Sequence, residues 1–206
     1  TAPGHKGQLV FGTLEGKNFN FNSGKNIVLS PYLTEEYDEE EGYIQVGGDL
    51  FECSLVFGAD VESVIIKGLT FHNHDKTIIS VMGSNDITIE DNVLFMEVTP
   101  EDNYGNAIYL SGPVSNIKID SNAIFMDATA SAYGINLMSY GAETNPTDIA
   151  ITSNRIEMDG DFQSGMVEAI YLSNPTNLVV EDNIITVNTV NDVFAYGIQI
   201  ADDVQY

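Results

Sequence analysis

The sequence predicts an all-β chain wound as a right-handed, single-stranded parallel β-helix, with three short strands per coil, roughly seven coils and an Asn ladder. Three observations predict it. ITIEDNVLFM at 87–96 returns as IKIDSNAIFM at 117–126, IAITSNRIEM at 149–158 and LVVEDNIITV at 178–187, so that Asn92, Asn122, Asn154 and Asn183 recur at intervals of 30, 32 and 29 residues. Each unit then carries a second element, NAIYL at 106–110, YGINL at 133–137, EAIYL at 168–172 and YGIQI at 196–200. No segment holds a helical period, and pieces such as TDIAITSN and TNLVVEDN are short and β-branched.

The elements follow in chain order within a unit. The strand before the Asn points Ile87, Ile117, Ile149 and Leu178 inward in one column and Ile89, Ile119, Ile151 and Val180 in another. The Asn itself is expected to take the left-handed backbone of a sharp bend, with its amide hydrogen-bonded to the next coil. The strand after it lines a second wall with Leu94, Ile124, Ile156 and Ile185. After a variable loop, a third strand adds Ile108, Ile135, Ile170 and Ile198. Parallel strands wind right-handed by the crossover preference.

The earlier coils are degenerate. VIIKGLTF at 64–71 reads as the same motif one residue short, with Gly68 near the bend, and TIISVM at 77–82 matches the third strand. FNF, NIVLS, YIQV and CSLVF are further strand pieces within 19–57, with Cys53 in the core. TEEYDEEE at 34–41 reads as a charged loop, and HNHD at 72–75 as a solvated coil-to-coil turn rather than a metal site. The organisation is one domain over 1–206, with 1–58 as cap and degenerate coils and 59–206 as regular repeats. The chain stops at GIQIADDVQY just after a strand, which raises chain continuation or end-to-end contact, and the opening TAPGHKGQ is not a secretory signal.

The motif xNIxIxxNxIxM followed by NAIYL resembles the repeats of right-handed parallel β-helix proteins of the pectate-lyase-like superfamily. Within that group, the acidic, Asn-rich composition is most similar to adhesin-like surface proteins of methanogenic archaea. The resemblance covers 59–206, and it implies a fold that serves lyases, hydrolases, tailspikes and adhesins alike. It also implies that substrates meet the third wall and its loops.

Charge narrows the partners. With 31 Asp+Glu against 7 Lys+Arg, the net charge is -24. Such a surface lacks the basic footprint that nucleic acid needs and opposes anionic lipid, and no apolar run reaches a membrane span. It suits an extracellular or cell-surface setting. The single Cys53 excludes a disulfide framework.

Function is therefore sought on the outer face of the third wall. Ser80, Tyr109, Asn136, Tyr171 and Gln199 form an outward row that alternates rings with amides, fit to stack sugar faces and bond their hydroxyls. Tyr104 and Tyr133 adjoin it from the loops, and Asp102, Asp127, Phe162, Glu168 and Phe194 are further loop residues. The expected ligand set is Tyr109, Asn136, Tyr171, Gln199, Tyr104 and Tyr133, holding a glycan or a partner cell-surface protein. The acidic column Glu90, Asp120, Glu181 and the pairs Asp159/Asp161 and Asp202/Asp203 are the calcium candidates, against diffuse counter-ions. Catalysis is disfavoured. The only Arg, Arg155, and Lys118 fall off this face, and an acid/base pair would have to come from Asp159, Asp161 and Glu168. The reading is a non-catalytic adhesin-like module, with a polysaccharide lyase or glycoside hydrolase and a structural stalk as the alternatives.

Overall fold

The computed structural model describes residues 7–38, 42–74, 77–99, 104–139, 145–160, 165–190 and 194–201. In chain order the strands are β1 (Gly7–Phe11), β2 (Leu14–Glu15), β3 (Asn18–Pro31), β4 (Thr34–Asp38), β5 (Gly42–Val46), β6 (Asp49–Phe51), β7 (Ser54–Lys67), β8 (Thr70–His74) and β9 (Ile79–Met82). The regular coils follow as β10 (Asn85–Glu90), β11 (Val93–Val98), β12 (Tyr104–Ser111), β13 (Ser115–Asp120), β14 (Ala123–Ala128) and β15 (Ser131–Met138). The last two are β16 (Thr147–Thr152), β17 (Arg155–Gly160), β18 (Met166–Ser173), β19 (Thr176–Glu181), β20 (Ile184–Thr189) and β21 (Phe194–Ala201).

Apart from β4 and β5, each strand pairs in parallel with strands of the adjoining coils, as a β-helix requires. The first wall is β10-β13-β16-β19, and the third is β9-β12-β15-β18-β21. The second wall runs β2-β6-β8-β11-β14-β17-β20, seven strands and hence seven coils. In the early coils the first and third walls fuse. The long β7 pairs with β9 through Leu55–Phe57 and with β10 through Glu62–Lys67, and β3 follows β7 along most of its length. The degenerate sequence before residue 59 thus already builds coils, and β1 pairs with β3 in the same parallel sense.

The predicted inward columns are in register: Ile87, Ile117, Ile149 and Leu178 on the first wall, Leu94, Ile124, Ile156 and Ile185 on the second, Ile108, Ile135, Ile170 and Ile198 on the third. All but the last-coil members are buried, and each such isoleucine contributes about 1.5–3 kcal/mol by leaving water. Cys53 is buried in this core as expected.

The bend is built differently from the expectation. The left-handed residue is the one before the Asn: Asp91, Ser121, Ser153 and Asp182 have φ of 55–56°. This frees the Asn to turn its amide inward. Asn92 donates from Nδ2 to Asn122 Oδ1 at 3.0 Å, Asn122 to Asn154 Oδ1 at 3.0 Å, and Asn154 to Asn183 Oδ1 at 3.0 Å. Each Nδ2 also reaches a carbonyl of the preceding coil, Ile66, Ile89, Ile119 and Ile151 in turn. VIIKGLTF is not a residue short. Leu69 occupies the Asn position and Gly68, at φ 66°, the left-handed one; the Leu69 N–H donates to Asn92 Oδ1 and closes the ladder.

Two other local expectations are corrected. Thr34–Asp38 is no loop but β4 of an antiparallel hairpin with β5, paired from Thr34 with Val46 to Asp38 with Gly42. His72 lies in β8 rather than in a turn, and its ring stacks between Phe51 and Phe95.

Candidate functional site: a tyrosine groove on the third wall

The third wall does not alternate simply. In β12, Asn106, Ala107 and Ile108 are buried in succession, and the same break falls at Gly134, Ala169 and Gly197. The side chains there are small for a steric reason. A Cβ on Gly134 would lie 2.6 Å from the Ala169 carbonyl oxygen. The break creates a second outward row beside the predicted one. Asn106, Tyr133, Glu168 and Tyr196 are in register, three residues ahead of Tyr109, Asn136, Tyr171 and Gln199.

The rows interlock along diagonals. Asn136, Tyr171 and Gln199 of the later row each meet the earlier row one coil back. Asn136 Nδ2 donates to Asn106 Oδ1 at 2.7 Å, and Asn106 Nδ2 passes the chain on to Thr77 Oγ1 at 3.2 Å. Tyr171 meets Tyr133 edge to face, with ring centres 6.3 Å apart and planes at 69°. The Gln199 amide ends beside the Glu168 carboxyl, and assigning its nitrogen to that side gives donation to Oε1 at 3.1 Å and Oε2 at 3.2 Å.

Together they line a groove of about 520 Å³. All six residues of the expected ligand set, Tyr104, Tyr109, Tyr133, Asn136, Tyr171 and Gln199, are in its lining. Sequence reasoning missed Asn106, Thr77, Ser131, Met138 and Met166, which line it too. The signal for Asn106 was present, since it opens the recurring NAIYL element. Asn136 is 6% exposed, and its Oδ1 has no hydrogen-bond partner. That orphan acceptor is itself buried beneath a lining rich in tyrosine.

Glu168 is not a loop residue. It lies within β18, fully buried, and burial pushes its carboxyl up to about 7. Burial and then the Glu168 and Tyr171 side chains raise the Tyr133 phenol in turn. The acid/base pairing of Asp159 with Glu168 does not form. Asp159 belongs to β17 and lines a separate groove of about 390 Å³ on the second wall, with Phe95, Phe125, Glu97 and Asp127. There it accepts from Asn188 Nδ2 at 2.7 Å. Asp161, Asp202 and Asp203, like Asp102 and Phe162, lie outside the described residues.

The first-wall acids are served by the protein. Lys118 Nζ sits 3.6 Å from Glu90 and 3.0 Å from Asp120. The Thr152 hydroxyl and then Lys118 hold the Asp120 carboxyl below its ordinary range. Among the described residues no group of three or more His, Cys, Asp or Glu side chains is placed to hold a metal ion. Among them, too, no helix is long and apolar enough to cross a membrane.

Stacked parallel coils, their Asn ladder and the family comparison agree. A family model described as "Right handed beta helix region" matches residues 54–205. The chain belongs to this family. No curated protein and no solved structure is similar enough to be matched. In this β-helix protein the family thus accounts for the coils, the core and the ladder. It assigns no chemistry to the groove, so the groove must be argued from its own atoms.

Proposed function

We propose that the protein is a non-catalytic recognition module, adhesin-like and displayed at a cell surface or outside the cell, whose third-wall groove holds a neutral glycan. The observation that carries this reading is the unpartnered Oδ1 of Asn136 among tyrosines. A buried amide acceptor without a donor costs about 1–3 kcal/mol, and a turn of the Asn136 side chain on binding would let a sugar hydroxyl supply that donor. Tyr109 and Tyr171 on either side offer ring surface to sugar faces while their hydroxyls bond the rim. The groove lies along the coil axis across three to four coils, which suits an extended chain more than a compact ligand. The net charge of -24 favours neutral or basic glycans over polyuronates.

The test is a panel of neutral, basic and acidic oligosaccharides, with calcium and with a chelator, read by mass spectrometry of retained and released sugar. Retention of an intact neutral chain, lost at least tenfold in the double variant Tyr109→Ala/Tyr171→Ala, is expected. Retention unchanged in that variant removes this groove as the site. Shortened or unsaturated products would replace the reading with a polysaccharide-cleaving enzyme. A chelator effect would bring calcium back into the site.

A further inference from the structure

We propose that Glu168 and Gln199 form a proton-operated switch that reverses the hydrogen-bond polarity of one wall of the groove. The role of the groove as a glycan site is the reading above; the switch deepens it by setting what one wall offers a ligand.

The pair is isolated in a specific way. Glu168 is fully buried, and desolvation alone displaces its titration, with no cation contributing. The polar groups that the register places beside it are phenols and an amide. Tyr133 is its strand partner from β15, Tyr196 and Gln199 come from β21, and Tyr171 follows it on β18. Phenols stay neutral through the range in which a carboxyl titrates. A phenol answers the protonation of Glu168 only by rotating its own O–H, whereas the Gln199 amide answers it by turning end over end and so changes what it offers on its far side.

An amide carries a donor end and an acceptor end. When Glu168 is ionised, both of its oxygens are acceptors, and the Gln199 amide assigned with Nε2 toward them donates over 3.1 and 3.2 Å. When Glu168 is protonated, its O–H becomes a donor, and a half-turn of the terminal torsion brings the Gln199 carbonyl to receive it. Such terminal torsions have two nearly equivalent wells, so the half-turn needs no movement of the backbone. Gln199 lines the groove, so the end turned away from Glu168 is the end a ligand meets. The ionised state presents a carbonyl there, and the neutral state presents an NH₂. With burial bringing the carboxyl to about 7, both states exist near neutral pH. Asn136 Oδ1 stays a fixed acceptor two coils away from Gln199. Above the transition the groove offers two acceptors; below it, one acceptor and one donor.

The test needs no sugar. In the full chain labelled with ¹³C and ¹⁵N, the Glu168 carboxyl carbon is assigned by its loss in Glu168→Gln, and pH is varied from 4.5 to 9. The expected result is a Glu168 midpoint near 7, separate from the surface glutamates, with the Gln199 side-chain amide resonances stepping at the same midpoint. The Gln199 step should vanish in Glu168→Gln. Gln199→Leu should move the Glu168 midpoint upward, because the carboxylate loses the donor that favours it. A Glu168 midpoint among the surface glutamates, or Gln199 resonances that ignore it, overturns the switch. An unmoved midpoint in Gln199→Leu overturns it as well. These results do not depend on the oligosaccharide panel. A working switch with no retained sugar counts against the glycan reading alone, and retained sugar without the titration counts against the switch alone.

Discussion

Two outer walls of this β-helix use the same device and reach opposite ends. On the second wall, Phe51, His72, Phe95 and Phe125 stack with ring centres 4.6, 5.0 and 5.1 Å apart and planes within 10–16° of parallel. Each ring covers the face of the next, and the guanidinium of Arg155, held by Glu157, closes the end at 5.5 Å from the Phe125 centre. On the third wall, register places an amide against a tyrosine instead of a ring against a ring. The tyrosines meet edge to face across a diagonal, and one buried oxygen is left over. Parallel coils repeat at roughly 4.8 Å, so like over like saturates itself. Unlike over unlike leaves a remainder, and a remainder is what a ligand can satisfy. The flat ladder is therefore read as architecture and the broken row as the site.

The strongest way to break this comparison is to remove a saturated rung. Asn122→Ala takes away the acceptor of both Asn92 donors and the donor to the Ile89 carbonyl, all buried. The expected loss is about 3 kcal/mol or more in denaturant melts, at 1–3 kcal/mol per orphaned group. A loss under about 1 kcal/mol would mean that the ladder is ornamental. Phe95→Ala comes next. It separates His72 from Phe125 and should cost about 2 kcal/mol, from two ring contacts and the exposed gap, with sugar retention untouched. The double tyrosine variant should do the reverse, losing retention while its melting temperature shifts by a few degrees or less. Equal effects of the two changes on both readouts would erase the distinction between the walls.

The fold was legible because its determinants repeat. Asn92, Asn122, Asn154 and Asn183 at near-constant spacing fix the coil, and the flanking isoleucines fix which face is inside. The bend was misread by one position, since Asp91, Ser121, Ser153 and Asp182 vary and hide the shared left-handed backbone. Leu69 hid a full-length unit, because an apolar residue there breaks the Asn pattern without changing its length. The site was half legible. Period-two alternation found the row through Tyr109, Asn136, Tyr171 and Gln199. It missed the row through Asn106 and Glu168, because the small residues Ala107, Gly134, Ala169 and Gly197 break the alternation and bring a second row outward. The aromatic column Phe51–His72–Phe95–Phe125 went unseen for another reason. Its members lie in four coils, the first two of degenerate sequence, and the column shows only through the register.

The smallest predicted effect is also the most specific, because it isolates one buried carboxyl beside the groove among the 31 acidic residues of the chain. The folded state raises Glu168 to about 7, against an unfolded value near 4.5. Between those limits the folded chain binds more protons than the unfolded chain, so this group makes stability fall as pH rises. Below about 4.5 the carboxyl is neutral in both states and costs nothing. Above about 7 it is ionised in both, and its burial is felt in full. The general repulsion among surface carboxylates bends the stability curve the same way, so the curve alone proves little. The difference between wild type and Glu168→Gln removes that background. That difference should move against the wild type by about 1–2 kcal/mol from pH 5 to pH 8, the size of the shift after discounting for water in the adjoining groove. Urea melts at four or five pH values measure it. A difference that stays flat means that Glu168 ionises alike in both states, and the amide beside it would then have no proton to answer.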